Sequence, residues 1–205
     1  MFYYILQPIM TYNLILIASA VIPAVFLMFK VYKSDRLEKE SWKTLVNLVA
    51  AGILSALLAL VEERVLSVLL NSAVPQDSVL YNIIMYFVIV AVSEESSKYI
   101  FLKKRTWDSP EFNCQYDGVV YAVFVSLGFA LWENISYVLS YGFATAVVRA
   151  VTAIPGHACF GVFMGIFYAF AKKYHNRGNH AKAKLMRILA LIFPEIGRAS
   201  CRERV

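Results

Sequence analysis

Cysteine is scarce in this chain: 205 residues hold three. Cys201 lies in a C-terminal string treated separately below. The other two, Cys114 and Cys159, lack the spacing of a metal knuckle and cannot build a disulfide framework. A basic leader is also missing ahead of the first apolar run. Residues 14–29, extendable back toward Phe2, therefore predict an anchored first helix and not a cleaved signal. No inverted repeat is visible, which removes the usual support for a symmetric transporter. The formal charge of +6 sits mostly in short loops between apolar runs, so it makes no case for nucleic acid as a partner.

Apolar residues are abundant. They make up 60% of the chain, against roughly 45–50% in a soluble domain. They fall in long runs separated by polar or basic stretches, which is the membrane pattern. A second run, residues 45–61, ends at Glu62-Glu63-Arg64, with a weak continuation over 65–70. The third, 79–102, is interrupted by Ser93-Glu94-Glu95-Ser96-Ser97-Lys98. The fourth covers 117–139. A short helical lead-in over 144–153 breaks at Pro155-Gly156, the fifth main helix covers 157–171, and a sixth begins at 185–194. The expected fold is all-α: one polytopic transmembrane bundle, residues 1–194, with about six membrane helices and the last cut short. The loops at 30–43, 103–105 and 172–187 hold five, three and six Lys and Arg, whereas Arg64 and Arg149 fall on the other side. Positive charge marks cytoplasmic loops, so the N-terminus is expected outside.

Residues 195–205, EIGRASCRERV, are similar to the translation of a common sequencing-adapter read-through, codon by codon. They are expected to be non-native and are set aside from fold reasoning. Without them the formal charge is +5, because the string carries three Arg and two Glu.

Ionisable groups inside hydrocarbon are costly unless paired or hydrated. Glu94, Glu95, Lys98, Glu133 and His157 all fall within apolar segments. Lys98 is i+4 from Glu94 and i+3 from Glu95, so it can pair with either on one helix face. The two carboxylates diverge by about 100° and cannot meet one partner equally. Spacing alone leaves open a structural pair, with one Glu reaching the cytoplasmic interface. Glu133 has no basic residue one turn away, so it requires a partner on another helix or a proton. His157, just after Pro155-Gly156, suits a helix-capping group, a metal ligand or a proton carrier. Converging in a bundle core, such groups can activate a water, by general-base action or on a metal. Asn134 suits an oxyanion donor or an interhelical hydrogen bond, and Glu62-Glu63-Arg64 an interfacial cluster. Depth is less accommodating. Rise per residue puts Glu94 roughly 13 Å from Lys103, but Glu133 roughly 24 Å from Asp117 and His157 roughly 22 Å from Lys172. Glu94 is thus expected lower than the other two.

Several strings together carry a resemblance. Glu94-Glu95-Ser96-Ser97-Lys98 matches Glu-Glu-x-x-Lys, and Phe129-Ala130-Leu131-Trp132-Glu133 matches Phe-x-x-x-Glu. Asp117-Gly118-Val119-Val120-Tyr121 opens the same helix as Asp-Gly-x-x-Tyr, and His157 to Gly161 matches His-x-x-x-Gly, preceded by Arg149 and Pro155. In this order they resemble the PrsW family of intramembrane proteases, relatives of the type II CAAX prenyl endopeptidases. The likeness covers about residues 80–175; the first two helices match only as hydrophobic segments.

The resemblance implies an intramembrane endopeptidase of a bacterial cytoplasmic membrane. Its substrate would be a single-span membrane protein in the bilayer, such as an anti-sigma factor. Glu94 and Glu95 would activate water, with Glu95 the base. Glu133 and His157 would bind a metal or polarise the scissile carbonyl, with Lys98, Asn134, Phe129, Asp117 and Arg149 in support. The cofactor is a divalent metal such as zinc, or none. The family's final His-x-x-x-Asp or His-x-x-x-Asn is expected in native sequence beyond Pro194, and the chain as given is expected to be inactive. Two rival readings remain: a non-catalytic scaffold in the manner of the Aph subunit of gamma-secretase, and a small transporter using Glu94 and Lys98.

Overall fold

The computed structural model describes residues 2–35 and 39–202, with side chains described for 11–35 and 39–194. The string 195–205, expected to be non-native, lies outside the described side chains. The described residues form helices joined by short turns, with no strand among them. In order these are α1 (Phe2–Ser34), α2 (Trp42–Ala73), α3 (Val79–Ile83), a π-helical segment (Ile84–Val90), α4 (Ala91–Thr106), α5 (Gln115–Tyr141), α6 (Phe143–Val151), α7 (Ala153–Asn176) and α8 (His180–Arg202). Five stretches among the described residues are long and apolar enough to cross a bilayer, and α8 follows as a further helix. The molecule is a multi-pass membrane protein with an all-α bundle. Large apolar side chains on the outer faces, such as Leu14, Ile22, Val46 and Val68, are more than half exposed. Hydrocarbon is the solvent in which that surface costs nothing.

Helix α5 is the axis of the bundle. Residues 120–130 are buried without a break, as expected of a helix apolar on all sides. It packs against α7, α2 and α1. The α2 contact is backbone to backbone. A Cβ on Gly52 would collide with the Val125 carbonyl and lie 2.8 Å from the Phe129 nitrogen, and a Cβ on Gly128 would collide with the Val49 carbonyl. Small residues allow this approach where apolar burial gives no driving force between helices.

Three boundaries differ from the sequence expectation. Helix α2 does not end at residue 61 but runs through Glu62-Glu63-Arg64 to Ala73. A charged triplet has adequate helix propensity, and no Pro or Gly follows it before Ala73 to stop the helix. The break before the fifth main helix falls at Thr152 (φ −116°, ψ −71°), not at Pro155-Gly156. Pro155 sits in the first turn of α7, where its missing N–H would have had no partner in any case. Third, the span Val79–Thr106 that carries Glu94 and Glu95 changes to a π-helical turn over Ile84–Val90. Wide turns of this kind are rare and recur next to functional side chains.

At the α5 N-terminus, Asp117 Oδ2 accepts from the Asn113 N–H (3.0 Å) and the Cys114 N–H (2.6 Å), closing the helix start. Glu40 is buried beside it. Burial pushes the Glu40 carboxyl from its ordinary 4.5 up to about 7; the Tyr121 hydroxyl draws it back, and Asp117, Glu111 and Asp35 add to the rise. The folded value lies above the unfolded one, so Glu40 favours folding in acid, and that contribution is lost as pH rises through about 7. Thermal unfolding in detergent is expected to shift downward between about pH 5 and about pH 8. Glu40→Gln is expected to flatten that dependence; an unchanged slope would show that Glu40 does not set it.

Candidate active site

Helix α4 supplies two carboxylates and a cation on one face. Lys98 Nζ donates to Glu95 Oε1 at 2.7 Å and lies 3.6 Å from Glu94 Oε2. The inequality follows from the angle between adjacent helical positions. Lys98 and Glu95 have no exposed surface, and Glu94 is 4% exposed. A buried ion pair at such depth is tolerable only when its remaining donors and acceptors are satisfied. Lys98 meets that need through α7 and α5. Its ammonium lies 3.2 Å from His157 Nδ1, and 4.1 Å above the Phe129 ring. That ring also packs against the imidazole, at 5.6 Å between centroids.

The opposite edge of His157 reaches α5 and α6. His157 Nε2 lies 2.9 Å from Glu133 Oε2, and Arg149 donates to the same oxygen at 2.8 Å. Glu133 therefore finds the partners on other helices that its own helix lacks. Arg149 Nε donates to Asn134 Oδ1 at 2.8 Å, while Asn134 Nδ2 donates to the Ala20 carbonyl of α1 at 2.8 Å. Arg149 also stacks over Tyr137, 4.2 Å from its ring centre.

The donor roles fix the histidine tautomer. An ammonium has three donors and no acceptor, so Nδ1 must accept from Lys98. The ring proton is then on Nε2 and is donated to Glu133.

The depth expectation fails. Glu94 and Glu95 are level with His157, because the helix register is set beyond Lys103. The Thr106 and Tyr168 hydroxyls meet at 2.8 Å. Glu95 precedes Thr106 by eleven residues, and His157 precedes Tyr168 by eleven. Lys103 lies three residues before Thr106 and Lys172 four after Tyr168, so the two lysines used as reference levels differ by seven residues, roughly 10 Å.

Of the residues singled out from sequence, Glu94, Glu95, Lys98, Phe129, Glu133, Asn134, Arg149 and His157 come together. Asp117 does not; it caps α5 about 24 Å along the helix from Glu133. Besides the expected Glu133–His157 pair, the site holds a three-donor group suited to a divalent metal. Glu94, Glu95 and His157, all buried, each offer a ligand atom within 4.8 Å of the others. Two carboxylates and an imidazole are a suitable oxygen and nitrogen set for zinc. Glu133 stands behind the histidine instead.

Glu62, expected from sequence in an interfacial cluster, is a neighbour of this site. Ser97, inside the Glu94–Lys98 string, donates to Glu62 Oε2 at 3.2 Å. A signal existed: Ser55, Ala59 and Glu62 recur at helical spacing on the small-residue face of α2, where Ser55 and Ala59 are buried.

Comparison with known proteins matches residues 40–194 to the model of the PrsW family intramembrane metalloprotease. The chain belongs to the PrsW family. It is 34% identical over 157 residues to Protease PrsW of Geobacillus kaustophilus, covering 77% of this chain and 67% of that protein. It is 32% identical over 161 residues to Protease PrsW of Oceanobacillus iheyensis, covering 78% and 71%. Against Protease PrsW of Clostridioides difficile it is 30% identical over 183 residues, covering 85% and 72%. No solved structure matches. The PrsW match takes in every residue of the cluster except Ala20 of α1, so this chain is a membrane-embedded member of a protease family with its polar residues gathered at one depth.

Asn134 is the link between the cluster and α1. Asn134→Leu is expected to cost about 1–3 kcal/mol, because it strands the Arg149 Nε–H and the Ala20 carbonyl. Chemical unfolding in detergent measures this; no loss would show that the bridge does not hold α1.

Proposed function

We propose that the chain is the core of an endopeptidase that hydrolyses a peptide bond of a single-span membrane protein within the bilayer. The observation that carries this reading is the meeting of Glu94, Glu95 and His157 from two helices, within 4.8 Å and shielded from solvent. Hydrolysis in hydrocarbon requires groups that can hold a water and accept its proton at a place where bulk water is absent. Glu95 is the proposed base, with Glu94 beside it to help orient the water. His157 is held in one tautomer by Glu133, and Glu133 in turn by Arg149, so the imidazole edge facing the carboxylates is pre-aligned. The family's description as a metalloprotease supports the alternative of a divalent metal on Glu94, Glu95 and His157, in which Glu95 would be a ligand and not the base. When bound, such a metal supplies Lewis-acid polarisation and a more acidic water.

The substrate reading, an anti-sigma factor, rests on the family resemblance, as does placement in a bacterial cytoplasmic membrane. The N-terminus outside rests on the distribution of Lys and Arg. Residues 195–205 are proposed to be non-native.

The scaffold reading draws on one observation: Glu133 and His157 bond each other at 2.9 Å, as structural polar residues would. It gives no reason for Glu94, Glu95 and Lys98 to converge on the other side of the same ring.

Cleavage of a membrane-spanning substrate by the full-length form distinguishes the two. Glu95→Ala and His157→Ala are each expected to lower the rate by about a hundredfold or more. Wild-type cleavage by both variants would remove these residues from the chemistry.

A further inference from the structure

Lys98 occupies the middle of the three-donor group. Its ammonium is 2.7 Å from Glu95, 3.6 Å from Glu94 and 3.2 Å from His157 Nδ1, the same three side chains that could ligate a metal. Glu95 and His157 accept hydrogen bonds from it, Glu94 is an ion-pair neighbour, and the face of Phe129 closes the remaining side at 4.1 Å.

We propose that the Lys98 ammonium is a built-in stand-in for a divalent cation, so that metal and ammonium compete for Glu94, Glu95 and His157. The proposal rests on the endopeptidase reading for its purpose, but not for its test.

Three physical points support it. First, both cations need the same lone pair. His157 Nδ1 has only one, and Lys98 already donates to it at 3.2 Å, so a metal at its roughly 2.0–2.1 Å ligand distance from Nδ1 must displace that donor. Lys98 has no lone pair to offer a metal while it is charged, and two cations at such separation repel. Second, the histidine is already in the ligand form. Its Nδ1 lone pair faces the centre, and its Nε2–H is donated to Glu133. A carboxylate behind the remote nitrogen is the usual support of a metal-bound imidazole. Third, the stand-in accounts for how two adjacent carboxylates are buried together without metal: one positive charge is shared between them. Lys98 thereby holds the donors assembled, and metal entry has to move the ammonium aside. The long flexible stem of lysine permits this, whereas Arg149 is pinned by Glu133, Asn134 and Tyr137.

Titration of the purified full chain in detergent with Co²⁺ alone, followed by its visible ligand-field absorption, tests the competition without any proteolysis assay. Lys98→Gln removes the charge but keeps a donor for Glu95. Lys98→Met keeps the stem against Phe129 and serves if the first variant does not fold. Arg149→Gln removes an equal charge from outside the three-donor group. The expected result is Co²⁺ affinity raised about tenfold or more by either Lys98 variant, and by less than about threefold for Arg149→Gln. His157→Ala in the Lys98→Gln background is expected to abolish the absorption. Affinity unchanged or lowered in a folded Lys98 variant would overturn the proposal. An equal gain from Arg149→Gln would also overturn it, since the effect would then be general electrostatics. So would a lack of binding by every form. Cleavage that depends on Glu95 and His157 would stand in any of these cases, so the two readings fail separately.

Discussion

A lysine ammonium buried in the middle of a membrane bundle constrains everything around it. Lys98 has no exposed surface, and an unpaired charge there would cost several kcal/mol. Glu95 and Glu94 supply the opposite charge from its own helix, but one lysine against two carboxylates leaves an excess. The chain continues through His157 to Glu133 and ends on a second cation, Arg149. Cations and carboxylates are joined along it through the neutral His157 ring, and α4, α7, α5 and α6 each contribute at least one member. The helices cannot slide relative to one another without separating a charge from its partner. Asn134 extends the linkage to α1 through the Ala20 carbonyl.

The remaining architecture reads as the means of meeting that demand. Gly52 and Gly128 bring α2 and α5 into backbone contact, fixing the level of Phe129, whose ring covers the ammonium. The Thr106–Tyr168 hydroxyl pair sets α4 against α7, and equal eleven-residue counts carry that register up to Glu95 and His157. The turn at Thr152 lets α6 present Arg149 and α7 present His157 to the same carboxylate. A group of this kind is a poor way to gain stability, since apolar packing would do as well or better. Its presence at one depth, in a family of proteases, is better explained by chemistry than by cohesion.

The sequence made some of this legible and hid the rest for identifiable reasons. Hydropathy located the membrane segments, because each apolar run is long and its ends are polar. Charge inside those runs located Glu94, Glu95, Lys98, Glu133 and His157, because ionisable residues in hydrocarbon demand a reason. Three features were not visible. The π-helical segment at Ile84–Val90 leaves no mark in a stretch of uniformly apolar residues. The break at Thr152 was misplaced because proline was taken as the breaker, although a first-turn proline is compatible with a helix. The level of Glu94 was misjudged because Lys103 and Lys172 were taken as one level; Lys103 precedes Thr106 by three residues, whereas Lys172 follows Tyr168 by four. Partner identity across helices, such as Arg149 for Glu133, depends on tertiary packing that a period within one helix cannot carry.

The central claim is that the ionic groups act as one continuous chain through His157. A double-mutant cycle between Lys98→Met and Glu133→Gln, read as unfolding free energy in detergent, tests it most directly, since these two residues meet opposite nitrogens of the same ring. A continuous chain predicts a coupling energy of about 0.5–3 kcal/mol between them. Losses that add to within about 0.5 kcal/mol would contradict it, leaving two separate ion pairs that merely share a histidine as neighbour.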